Sequence, residues 1–78
     1  MRLKGITPAQ CRAARSLLHW TQADLALAAG VSLITVRNFE NDRTHPPAST
    51  IDLMQCALEG AGVRFGPRES VGLEKPSR

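Results

Sequence analysis

The sequence predicts an all-α domain of short helices closed by a short β segment at its C-terminal end. Three observations carry this prediction. Helix-start signals precede apolar residues at helical spacing in Thr7-Pro8-Ala9-Gln10 and in Thr21-Gln22-Ala23-Asp24. Gly30 and the pair Pro46-Pro47 stand where helices must stop, because glycine takes positive φ cheaply and proline cannot sit in a helix interior. Beyond Gly60-Ala61-Gly62 the helical spacing gives way to alternation, in Val63-Arg64-Phe65 and again in Ser70-Val71-Gly72-Leu73.

The first helix has Thr7 as N-cap, Pro8 at its first position and Gln10 completing a capping box. It runs to about Leu18, with Cys11, Ala14, Leu17 and Leu18 as apolar contacts, and Ile6 and Cys11 at staple spacing. The second helix is capped by Thr21 with Asp24 three residues on. Trp20 and Leu25 repeat the staple offsets, so Trp20 is read as a packing residue rather than a base-stacking one. That helix ends at Ala29 before Gly30. Ser32 caps the third helix, about Leu33 to Asn41. Leu25, Ala29, Val31, Val36 and Phe39 face one core, and Ala26 is small enough to let a second helix cross closely. A small residue, a turn glycine and these core positions at fixed offsets form a helix-turn-helix, whose second helix is offered to the DNA major groove. After a loop at residues 42–47, Ser49 or Ala48 caps a fourth helix through Glu59. Residues 63–65 and 71–73 form a strand pair, which must pack on the helices or on another chain because an isolated hairpin is marginal. The expected organisation is a helix-turn-helix domain over residues 1–61 and a strand-and-tail segment over 62–78, a candidate dimerisation element. Residues 1–6 form a short basic lead carrying Arg2 and Lys4, and 74–78 a frayed end.

Composition bounds the function. At 78 residues, 42% apolar, with Trp20, Phe39 and Phe65 as the aromatics, the chain has one small aliphatic core. A net charge of +3 permits nucleic-acid binding without demanding it. Cys11 and Cys56 are too few and too far apart for a metal motif or a disulfide framework, and both are read as buried free thiols in a reducing cytoplasm. No apolar run is long enough to span a membrane, and no signal-peptide core precedes residue 14. No cofactor, metal or nucleophile-and-base arrangement is indicated, and catalysis is not expected.

Stepping 100° per residue along the third helix turns Val36 and Phe39 inward, with Ser32 and Arg43 near that side. Ile34, Arg37, Asn38 and Asn41 fall on the opposite face. An isoleucine centred among polar neighbours has no use on a solvated face, but it suits a thymine methyl group in a major groove. Leu33 flanks the same face near the helix start. Arg37 can donate two hydrogen bonds to guanine and Asn38 can pair with adenine; arginine and asparagine are also ordinary surface residues. Gln22 opens the second helix, where free backbone N–H groups favour a phosphate. With Ser32, Asn41, Arg43 and Thr44 it makes up the candidate phosphate contacts. His45 is read as a solvated loop histidine.

Thr21-Gln22-Ala23-Asp24-Leu25-Ala26, Gly30-Val31-Ser32 and Thr35-Val36-Arg37-Asn38-Phe39-Glu40 closely resemble the phage-repressor or Cro-like (xenobiotic-response-element) class of bacterial helix-turn-helix regulators. The resemblance covers about residues 9–58. It implies a compact, lambda-repressor-like bundle of four or five helices that binds double-stranded operator DNA, usually as a homodimer. It implies phosphate contact at Gln22, base contact at Leu33, Ile34, Arg37 and Asn38, and a buried ion pair between Arg15 and Glu40. Asp42 departs from the family, which usually has glycine just after the third helix. Residues 63–73 resemble the strand pair appended in some small single-domain members. The expected protein is a cytoplasmic, nucleoid-associated transcriptional regulator and a repressor. Two alternatives stand beside it: an antitoxin-type protein that binds a partner protein and its own promoter, and a pure protein-interaction module.

Overall fold

The computed structural model describes residues 5–74; the expectations for residues 1–4 and 75–78 lie outside them. Four helices follow in order: α1 (Pro8–Leu18), α2 (Gln22–Ala29), α3 (Leu33–Glu40) and α4 (Ala48–Gly60). An antiparallel pair closes the chain, β1 (Val63–Phe65) and β2 (Val71–Leu73), joined through a 3₁₀ turn at Pro67–Glu69. The architecture is the expected lambda-repressor-like one, with four helices. None of the helices among the described residues is long and apolar enough to cross a membrane.

Both predicted capping boxes are present. Thr7 Oγ1 accepts from the Gln10 N–H while Gln10 Oε1 accepts from the Thr7 N–H, and Thr21 and Asp24 repeat the exchange. Helix α4 is different: its cap is Pro47, with no side-chain bond, and neither Ser49 nor Ala48 caps it. The Pro47 carbonyl receives the N–H groups of Thr50 and Ile51 and starts the helix by itself.

The core gathers Cys11 and Ala14 from α1, Leu25, Ala26 and Ala29 from α2, Val36 and Phe39 from α3, and Ile51, Met54 and Leu58 from α4. Ile6 and Val63 close its other end. The hairpin therefore packs on the helices, with Val63 fully buried and Phe65 and Val71 half-buried against the same core. Its register pairs Val63 with Leu73 and Phe65 with Val71. The expectation for Cys56 is corrected: its thiol is exposed, whereas Cys11 is buried. At 100° per residue the buried stripe Ile51, Met54, Gln55 and Leu58 leaves Cys56 well round the helix, beside exposed Leu53.

Candidate nucleic-acid interface

Helices α2 and α3 meet through Gly30, Val31 and Ser32. Gly30 adopts φ 74°, and the N–H groups of Gly30 and Val31 both donate to the Ala26 carbonyl, at 2.9 and 3.0 Å. A Cβ at Gly30 would meet no atom within 4 Å, so the left-handed backbone alone asks for glycine here. Ala26 is buried at the crossing. Ser32 Oγ accepts from the Thr35 N–H at 3.1 Å and caps α3, while the residue itself stays exposed.

Helix α3 then has two distinct faces. Val36, Phe39 and Glu40 are buried. Leu33 is 39% exposed and Ile34 53%, and Arg37 and Asn41 are exposed beside them. Asn38 is half-buried, on the flank of that face. Arg43 and Thr44 continue it as exposed loop residues, so Ser32 and Arg43 do not lie on the inward side. Asp42 takes the left-handed conformation at φ 60° that a glycine would supply. The Asp42 N–H donates to the Phe39 carbonyl and the Arg43 N–H to the Asn38 carbonyl at 2.8 Å, which is a Schellman closure. Aspartate is among the few side chains that enter this region readily.

Behind the outward face, α3 is tied down by Glu40, which is 1% exposed. Arg15 Nε donates to Glu40 Oε2 and Arg15 Nη2 to Glu40 Oε1, both at 2.7 Å, a two-pronged pair. The third arm of the guanidinium, Nη1, donates to the Trp20 carbonyl at 3.0 Å and so fastens the α1–α2 link. Gln22 Nε2 donates to Glu40 Oε1 at 3.1 Å, and the Cys11 thiol donates to Oε2 at 3.1 Å. Arg12 Nη1 donates to the Glu40 backbone carbonyl, a cation at the C-terminal end of α3. Burial alone would push the Glu40 carboxyl up; the bonds from Arg15, Gln22 and Cys11 outweigh it and hold the group below its ordinary range. Burial, then the bond to Glu40, pushes the Cys11 thiol far up, so it stays protonated and acts as a donor. The bond to Glu40 raises Arg15 further.

Of the residues singled out from sequence, Leu33, Ile34, Arg37 and Asn38 share α3, which ends at Glu40 rather than at Asn41; Asn41 is its C-cap, with Arg43 and Thr44 just beyond it. Gln22 stands at the start of α2, half-buried, with its amide joined to Glu40. Cys11, Arg12 and Gln22 join Arg15 as partners of Glu40 beyond those expected from sequence. For Cys11 and Arg12 the available signal was that both lie within four residues of Arg15 on one helix, where such positions are neighbours.

A short helix capped at its start, pinned from behind by a buried carboxylate and presenting an apolar and cationic outer face defines a DNA-binding helix-turn-helix protein. The helix-turn-helix family model matches residues 12–60, and the chain belongs to this family, of the Cro-like repressor type. No curated protein matches the sequence.

Proposed function

We propose that the chain is a sequence-specific transcriptional regulator, a repressor, that reads the major groove with α3 and performs no catalysis. The observation that carries this reading is the exposure of Ile34 at the centre of the outward face, beside exposed Leu33 and Arg37. Apolar contact with a thymine methyl explains that placement, and Arg37 and Asn38 supply bidentate partners for guanine and adenine. Gln22, Ser32, Asn41, Arg43 and Thr44 set the register on phosphates. The protein works in the bacterial cytoplasm on the nucleoid as a homodimer, with the helix-turn-helix over residues 1–61 and the segment over 62–78 as the pairing element. Among the described residues the sheet has two strands only, and Leu73 on β2 is exposed, which supports that role because a free strand edge is a template for another strand.

Binding-site selection from random duplex DNA, repeated for each variant at one salt concentration, tests the reading. Arg37→Ala and Asn38→Ala should each lose roughly 1–3 kcal/mol on the best duplex and relax preference at one position. Ile34→Ala should cost less, and its effect should shrink when the facing thymine is replaced by uracil. An unchanged preferred sequence for both polar variants would make the outer face a protein-binding surface instead.

A further inference from the structure

Gln22 has two neighbours to satisfy: the buried carboxylate behind it and, on the reading above, a DNA phosphate in front. Both are acceptors only. The amide nitrogen carries two hydrogens and the amide oxygen carries none. Nε2 already donates to Glu40 Oε1 at 3.1 Å, an oxygen that also receives Arg15 Nη2. Turning the amide over would set its oxygen against that carboxylate oxygen, acceptor against acceptor, behind a buried pair. In the observed orientation the second Nε2 hydrogen has no acceptor among the described residues. The backbone N–H groups of Gln22 and Ala23, at the start of α2, likewise donate to nothing described, because Asp24 and Thr21 satisfy each other.

We propose that Glu40 is a positioning residue for DNA binding, fixing the Gln22 amide so that it presents an N–H, and never its carbonyl oxygen, to a phosphate. The ion pair with Arg15 thereby serves two purposes. It holds α3 against α1, and it holds the carboxylate where it orients the phosphate contact of α2. A free glutamine amide spends part of its time with oxygen outward, which a phosphate repels; the tethered one binds without that loss. This inference rests on the proposed contact between Gln22 and a phosphate.

The test compares Gln22→Ala in two backgrounds, the wild type and Arg15→Met with Glu40→Leu, on the duplex recovered by selection from random DNA. Circular dichroism first establishes that each variant is folded. In the wild type the substitution should weaken binding about tenfold, as loss of a charge-assisted hydrogen bond does. In the double-variant background, where nothing orients the amide, it should weaken binding by less than about twofold. An equal loss in both backgrounds overturns the positioning role and leaves the phosphate contact standing. No loss in the wild type overturns the phosphate contact itself. The unmodified protein gives an independent measurement through the side-chain amide protons of Gln22 by NMR. One proton should exchange with water more slowly than the other; equally fast exchange of both overturns the tether even where the double variant fails to fold.

Discussion

Glu40 and Gln55 are both buried helix residues with polar ends, 1% and 4% exposed, and the molecule treats them very differently. The Glu40 carboxylate receives four hydrogen bonds, from Arg15, Cys11 and Gln22, supplied by two other helices. Gln55 donates to Glu59 on its own helix at 3.0 Å, and its Oε1 has no partner among the described residues. That oxygen lies near Gly5, beside a cleft also lined by Ile6, Gln10 and Phe65. The difference teaches where a buried polar group helps a small fold. Two helices, α1 and α2, bring donors to Glu40 on the third, so its burial fixes how the three are arranged. Around Gln55 the described residues bring Gly5, Ile6 and Phe65 together with Gln10 and Glu59, but no donor reaches its Oε1, so this burial ties no second helix to α4.

The largest effect should come from breaking the satisfied site. Arg15→Met leaves Glu40 buried without its counter-ion and should lose roughly 3–5 kcal/mol, most of the stability of a domain this small. Arg15→Met with Glu40→Leu should recover much of that loss. Urea unfolding of the four-member cycle measures the coupling, and additivity would mean that the pair does not act as a unit. Acid should act at the same place. The carboxyl of Glu40 is lowered in the folded state, so its contribution is complete above the ordinary value of 4.5 and is lost as pH falls through the folded one. The wild type should therefore lose stability below about pH 4.5 more steeply than the double variant, and parallel curves would count against the assignment. At the unsatisfied site the sign reverses. Gln55→Met removes a buried acceptor at similar volume and should raise stability by about 1 kcal/mol. The smallest change is expected at Asp42, where glycine relieves a left-handed backbone but enlarges the unfolded ensemble. Asp42→Gly should stabilise by roughly 0.5 kcal/mol, and a loss would show that the aspartate side chain supports the turn.

The helix-turn-helix was legible because its signals are local: Thr21 and Asp24, Gly30, and Ser32 each act within four residues of themselves. Two further left-handed helix ends were not, because His19 at φ 58° and Asp42 at φ 60° stand where glycine is the usual signal. The outward placement of Ile34 followed from helical periodicity alone. The partners of Glu40 did not, since Cys11, Arg12 and Gln22 lie 29, 28 and 18 residues away and only the fold unites them. Cys56 was misplaced for a related reason. An apolar content spread round α4 does not say which stripe faces inward, and the polar Gln55 took a position that composition would assign to a thiol.

Arg12 and Arg15 both donate inward, to the carbonyl and carboxylate of Glu40. The cations left on α3 and its loop are Arg37 and Arg43, while Gln22, Ser32, Asn41 and Thr44 carry no charge. Counterion release scales with the phosphates that cations neutralise, so the logarithm of affinity should fall with the logarithm of salt by only about two per protomer on this face. In the proposed homodimer that slope would double. On the proposed contacts, such a surface would hold its duplex by placed neutral donors more than by its field, and discrimination between sites should survive ionic conditions that strip a lysine-rich binder from DNA.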